Sequence, residues 1–128
     1  MATNDPNQPK QGRQLALQVT HVIRKRVRFD DLNTEGEIGI LPDKAIILRG
    51  NVYVTTAFSG GTLNIGVQGG AANEYLAAQA LNATAIAPLD KLAIANAYRP
   101  LETVLTFARS AAATAGEAFI VVEYAVQN

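Results

Sequence analysis

The residues that could perform chemistry are few and dispersed. The chain has one imidazole, His21, and no cysteine, and its only dense group of carboxylates is Asp30, Asp31, Glu35 and Glu37. Nucleophilic catalysis needs a nucleophile beside a base, and metal sites gather several His, Cys or carboxylate ligands. The spacing of the four acids does not match the calcium-loop pattern. We therefore predict no catalytic residue, no metal site, no cofactor and no enzymatic activity.

Two glycine pairs, Gly60-Gly61 and Gly69-Gly70, resemble phosphate loops only superficially. Neither pair is followed by the Lys-Ser/Thr of a phosphate loop. The chain also has no Trp and only 6% aromatic residues, which leaves little to line a sugar groove. The glycines are therefore interpreted as turn residues, and no small-molecule substrate is predicted.

Charge is distributed unevenly along a chain whose net charge is zero. Six basic residues against one acidic give residues 1–28 a net charge of +5, and five against ten give residues 29–128 a net charge of −5. This asymmetry predicts a basic N-terminal surface with its own partner. A solvated strand face that pairs with acidic loops of the same molecule is the alternative. The predicted partner-binding residues are Lys10, Arg13, Arg24, Arg26 and Arg28.

The basic run from Arg24 to Arg28 could also attract a phosphate backbone. Single-strand binders interleave stacking aromatic residues with their basic ones, and none lies inside this run. A near-neutral domain is also a poor nucleic-acid binder. A protein partner is therefore favoured over nucleic acid.

Apolar residues recur at every second position in several segments, which is typical of strands with one buried face. Examples are Ile23 and Val27, the even-numbered residues from Ile46 to Phe58, the odd-numbered residues from Leu63 to Val67, and the segments 101–107 and 118–126. His21 and Lys25 interrupt the first apolar face, which predicts a bulge or an edge position there. Ser59-Gly60-Gly61 predicts a tight hairpin turn.

The remaining segments complete the predicted architecture. An Ala- and Leu-rich stretch from Tyr75 to Leu81, capped by Asn73, predicts a short helix. Alternation over 92–98 fits a strand, and the alanines there leave a helix open. Turn signals at regular spacing predict an all-β, jelly-roll-like β-sandwich of about seven or eight antiparallel strands. Residues 1–13 are polar with two prolines and are predicted to be a flexible arm. The sandwich is assigned to residues 14–128.

Compartment signals in the sequence are mostly negative. The sequence contains no run of about 18 apolar residues, so no membrane span is predicted. The polar N-terminal segment lacks the apolar core of a secretory signal. The absence of cysteine is consistent with synthesis in a reducing host cytoplasm.

The order of several segments resembles a family of small tailed-bacteriophage proteins that decorate, or cement, capsids. The segments are Val27 to Asp31, Gly39 to Ile47, Val52 to Gly66, Asn73 to Ala78, Ala113 to Ala118 and Val121 to Tyr124. The resemblance spans residues 22–126, and no single motif in it is diagnostic. It implies a jelly-roll-like fold without catalytic residues.

The resemblance also implies how such a protein works. It implies a structural virion protein on the capsid exterior that binds the major capsid protein and associates with itself as a homodimer or homotrimer. Another virion component, such as a head-fibre base or a tail protein, is the main alternative. A small carbohydrate-binding β-sandwich is a further one.

Overall fold

The alternating segments of the sequence form strands in the computed structural model, which describes residues 20–126. In that range the elements are β1 (His21–Arg28), β2 (Glu35–Leu41), β3 (Ala45–Thr56), β4 (Thr62–Val67), β5 (Leu76–Ala80), β6 (Ala85–Pro88), α1 (Ile94–Ala97), β7 (Tyr98–Arg99), β8 (Thr103–Arg109) and β9 (Glu117–Val126). The arm predicted over residues 1–13, and the start of the sandwich at residue 14, lie outside the described residues.

The strands build two antiparallel sheets. In the β1 sheet the order is β1-β9-β3-β6, with the two-residue β7 also pairing with β3, and in the β2 sheet the order is β2-β8-β4-β5. With β7 set aside, the first strand pairs with the last, the second with the one before it, β3 with β6, and β4 with β5. A long hairpin rolled up in this way is a jelly roll. The predicted fold class is therefore confirmed.

The core lies between the two sheets and is built from the alternating apolar residues. Val52 and Ile120 from the β1 sheet and Ile65 from the β2 sheet are fully buried. On β1 the odd-numbered residues face inward, as predicted, and Val27 is buried. The prediction of an edge position is also confirmed, because β1 is the terminal strand of its sheet and its register with β9 is unbroken.

In the first half of β3, the sequence prediction assigned the wrong face. Ile46 and Leu48 were expected inside, but Ala45 and Ile47 are buried and Leu48 is exposed. The register with β9 shifts between Ile47 and Arg49, so one residue is left over and the alternation changes parity there.

Two further local predictions are wrong. The stretch expected as a helix from Tyr75 to Leu81 forms β5, which pairs with β4. The short helix occurs at 94–97, within the segment 92–98 where the sequence left both a strand and a helix open. Ser59-Gly60-Gly61 does not turn a hairpin, because β3 and β4 belong to different sheets. The chain crosses between the sheets there, and the Phe58 N–H donates to the Leu81 carbonyl at 2.8 Å.

A small polar network holds α1 against the sandwich. The buried Tyr75 hydroxyl donates to the Asn96 carbonyl at 2.7 Å. The Asn96 side chain donates to the Lys91 carbonyl at 3.0 Å and accepts the Ala93 N–H at 2.8 Å. Buried polar groups that find such partners favour one arrangement of the chain over others.

The first prediction concerns the close approach of backbone at Gly66. A Cβ atom there would collide with the backbone of Ala71 and Ala72, whereas a Cβ at Gly60 would meet nothing within 4 Å. We expect Gly66→Ala to lower the free energy of unfolding by about 2 kcal/mol or more, because backbone cannot yield cheaply. Gly60→Ala is the control and should be nearly neutral in the same denaturation experiment. Equal effects of the two substitutions would contradict this packing.

The second prediction concerns the pH dependence of stability. Burial raises the pKa of Tyr75 to about 12 from its ordinary value of 10.0. Because the folded-state pKa is the higher one, the unfolded chain loses its tyrosine proton first as the pH rises. The free energy of unfolding is therefore unaffected by Tyr75 ionisation below pH 10 and falls as the pH rises toward 12. Tyr75→Phe should cost about 1 kcal/mol at neutral pH through the lost hydrogen bond, and should flatten the decline between those two pH values. A decline that is as steep in the variant would be evidence against this assignment.

Candidate functional site

The described part of the molecule has clefts but no constellation of catalytic groups. One open cleft of about 520 Å³ lies between the turn at Gly69-Gly70 and the segment 99–104. Among residues 20–126, no three His, Cys, Asp or Glu side chains come together as metal ligands. The one helix in this range has four residues, which is too short to cross a membrane.

His21 and the acidic group occupy structural positions. The His21 ring stacks on Tyr124, with ring centres 5.3 Å apart and an interplanar angle of 23°. Asp31 accepts the backbone N–H of Arg28 at 2.9 Å, and Asp30 lies 3.5 Å from the Arg28 side chain. Glu35 and Glu37 are exposed on β2. The four acids therefore do not converge on one site.

The predicted basic surface exists on the outer side of β1. Arg24, Arg26 and Arg28 alternate with inward-facing residues there, and we call these three residues the basic strand face. Lys10 and Arg13, the other two predicted partner-binding residues, lie outside the described residues.

Part of the basic strand face is neutralised within the molecule. Arg26 forms a two-nitrogen contact with Glu117 of β9, with its Nε at 2.9 Å from the carboxylate. Arg28 lies 3.7 Å from the same carboxylate. Arg24 has no ion-pair partner among residues 20–126 and is exposed. Arg26 and Arg28 thus pair with acidic residues of the same molecule, which was the alternative to partner binding. Arg24 presents an uncompensated charge.

An apolar row adjoins the basic strand face. Arg26 faces Phe119 on β9, Phe119 faces Tyr53 on β3, and Tyr53 faces Ile86 on β6. Ile86 is 66% exposed. This row could not be read from the sequence, because its members Phe119, Tyr53 and Ile86 come from three segments whose neighbour relations depend on the fold.

Exposed large apolar side chains concentrate beyond β3, on the side opposite β1. They include Ile86, Ile94, Tyr98 and Leu101, while Val22, Leu32 and Ile40 lie elsewhere. A sequence signal was available for part of this region, because residues 75–89 contain no Asp, Glu, Lys, Arg or His. Interfaces are depleted of charged residues at their centres, so this region is a second candidate for partner binding.

Arg109 is a buried charge without a carboxylate. It is only 5% exposed, its Nε and Nη2 atoms have no hydrogen-bond partner, and Nη1 reaches the Ala111 carbonyl at 3.4 Å. Its guanidinium lies 5.5 Å from the centre of the Phe58 ring. The cation–π contact offsets part of the cost of removing this charge from water.

The sequence comparisons find no match, and the structure comparison finds chains of similar fold. No protein-family model matches the chain. No curated protein matches it either. Among solved structures, a chain in the capsid asymmetric unit of cyanophage Pam1 is 20% identical, with a TM-score of 0.63 over 84% of this chain and 85% of that one.

Two other phage capsid structures contain similar chains. A chain in the capsid of Ralstonia phage GP4 is 14% identical, with a TM-score of 0.61 over 88% of this chain and 87% of that one. A chain in the acid-stable capsid of Helicobacter pylori bacteriophage KHP30 is 16% identical, with a TM-score of 0.62 over 86% of this chain and 90% of that one. At these identities the likeness establishes a shared fold.

The third prediction tests the buried charge. Arg109→Met keeps the length of the side chain and removes the unpaired guanidinium, so we expect the free energy of unfolding to rise by about 1–3 kcal/mol. Arg49→Met is the control, because Arg49 is 71% exposed and pairs with Glu123, and its loss should change stability by less than about 1 kcal/mol. A marked destabilisation by Arg109→Met would mean that this guanidinium has a partner in solution.

Proposed function

We propose that this chain is a structural virion protein that decorates and stabilises a bacteriophage capsid by binding the major capsid protein. The single observation that carries the proposal is a jelly roll shared over more than four-fifths of the chain with chains of three phage capsids. Each match covers nearly equal shares of both chains, so those chains are close to this one in length. The family resemblance of the segments between residues 22 and 126 is in agreement.

The physical requirements of such a role are modest and are met by this molecule. A decoration protein must add contact area across shell subunits, and many identical copies multiply a small energy per copy. A rigid sandwich supplies a fixed surface, and a polar arm at residues 1–13 would add contacts if it orders on binding. No chemical step is needed, and the described residues hold no catalytic constellation.

The basic strand face is the proposed contact with the shell. Arg24 carries an uncompensated charge, and Phe119 lies opposite the neighbouring Arg26, so the basic strand face provides both attraction at long range and apolar contact area on docking. Arg26 and Arg28 are held in place by Glu117 and therefore lose little freedom on binding. Lys10 and Arg13 extend the same positive charge along the sequence.

The location of the protein in the particle separates this proposal from its alternative. An electron-microscopy map of the virion should show density of this size at symmetric positions over the outside of the whole shell. Density at a single vertex would favour a head-fibre base or a tail component. The proposal also includes self-association as a homodimer or homotrimer, synthesis in the host cytoplasm, and binding to assembled shells in preference to free subunits.

The fourth prediction addresses the contact residues. Arg24→Glu should weaken co-sedimentation with assembled capsids about tenfold or more at physiological salt, because it places a negative charge where a positive one is required. Lys44→Glu, the same charge change in the turn before β3, is the matched control and should leave binding unchanged. Both variants should keep the melting temperature of the parent, because both side chains are exposed. Full binding by Arg24→Glu would remove the basic strand face from the interface.

A further inference from the structure

The side of the sandwich opposite β1 and β2 has an unusual surface. Residues 75–89, which we call the neutral flank, include β5, the loop that follows it, and β6. At the 17% charged content of the whole chain, about two or three charged residues would be expected in this length, and none occurs. The flank is nevertheless at the surface, and its exposed residues are 78, 80, 82–86 and 88.

Both sheets end in open edges on the neutral flank. β5 is the last strand of the β2 sheet, and β6 pairs on one side only, with β3 of the β1 sheet. Proteins commonly block such edges with charged side chains, because an open edge pairs readily with another strand. β1, the opposite edge, is blocked in this way by Arg24, Lys25 and Arg26, with Lys25 pointing toward the inner side. The neutral flank has no charged side chain in this role, and Pro88 of β6 is its only residue of a type that hinders pairing.

The backbone of β6 can accept another strand. The Leu89 N–H donates to the Gly50 carbonyl of β3 at 3.0 Å. Because backbone groups alternate in direction along a strand, Ile86 directs both its N–H and its carbonyl away from β3. Pro88, which has no N–H to donate, lies in the same outward phase, the usual position for proline in an edge strand.

Apolar side chains lie on β6 and also farther along the same edge of the β1 sheet. The row through Phe119, Tyr53 and Ile86 reaches the surface at Ile86. Tyr98 on β7, which faces Ile46 across the sheet, is 43% exposed, and Leu101 just after it is 75% exposed. An open edge beside an apolar margin has the composition of the centre of an interface.

We propose that a second copy of this chain covers the neutral flank, with β6 and Ile86 at the centre of the contact. The inference rests on the self-association included in the proposed function and assigns a surface to it. The charge pattern selects this occupant. A surface without charge does not repel its own copy and offers no attraction to a charged partner, whereas two copies joined through β1 would place arginines against arginines.

The contact leaves the proposed shell-binding surface free. β1 and β6 are the opposite ends of one sheet, separated by β9 and β3. A copy bound along β6 therefore leaves Arg24 accessible to the shell, and each molecule can hold a neighbour and the capsid at once. Linked copies then bind with the combined strength of several weak contacts.

The fifth prediction tests this surface with a matched pair of substitutions in the full chain. Ile86→Asp places a carboxylate at the centre of the proposed contact, and we expect the dissociation constant of the oligomer to rise at least tenfold in sedimentation-velocity experiments. Ile40→Asp is the control, because Ile40 is 52% exposed in β2, the edge strand on the opposite side. It should leave association unchanged. Ile86 is 66% exposed, so both variants should fold, which thermal melts will verify.

Hydrogen exchange supplies a second readout. In the unsubstituted protein, exchange of the amides of residues 82–87 should slow as protein concentration rises, and in Ile86→Asp it should not. A monomer at all concentrations, or an oligomer that Ile86→Asp does not weaken, would overturn the inference.

The outcomes also separate this inference from the proposed function. Capsid co-sedimentation by a protein that is monomeric in solution would reject the neutral flank as a self-contact while leaving decoration in place. A second outcome is that Ile86→Asp leaves the oligomer unchanged but abolishes binding to capsids. The neutral flank would then contact the shell, directly or through residues 1–19, and a second copy would be rejected as its occupant.

Discussion

The ladder between β3 and β9 is the interaction on which the rest of the molecule depends. It joins Ala45–Thr56 to Glu117–Val126 at the centre of the β1 sheet and brings distant parts of the chain together. Within the sheet, β1 pairs with the other edge of β9, and β6 and β7 pair with the other edge of β3. Both proposed contact surfaces are therefore positioned by one ladder. Its inner face also contributes Val52, Ile120 and Val122 to the core, so pairing and burial stabilise the same strands.

The outer surface of the β1 sheet is organised by partial charge compensation. Glu117 and Glu123 of β9 neutralise arginines on the strands to either side of them. These pairs are exposed, so each contributes little to stability, but each fixes the direction of a long side chain. Arg24 faces Val121 instead of a carboxylate and keeps its full charge. The charge available to a partner is thus set by which arginines pair with Glu117 or Glu123 of β9.

Two buried polar residues are accommodated in different ways. Tyr75 is fully buried, and its hydroxyl reaches a carbonyl, so its burial costs little and holds α1 in place. Arg109 is nearly as buried and lacks comparable partners, so its burial reduces stability. The neutral flank and the basic strand face lie outside the apolar core between the sheets, and they are the two surfaces on which the proposed contacts depend.

The sequence by itself determined the fold class and the buried face of most strands, because alternation of side chains is a local property with a fixed period. It also determined that β1 carries three arginines on one side. Several features were decided only by the tertiary structure. The bulge in β3 reversed the parity around Leu48, and pairing with β4 overrode the weak helical preference of the Ala-rich segment that became β5. The compensation of Arg26 by Glu117 joins residues 91 positions apart. Likewise, the apolar row that ends at Ile86 draws on three strands. Such relations depend on which strands become neighbours and in which register, and a local pattern contains no information about either.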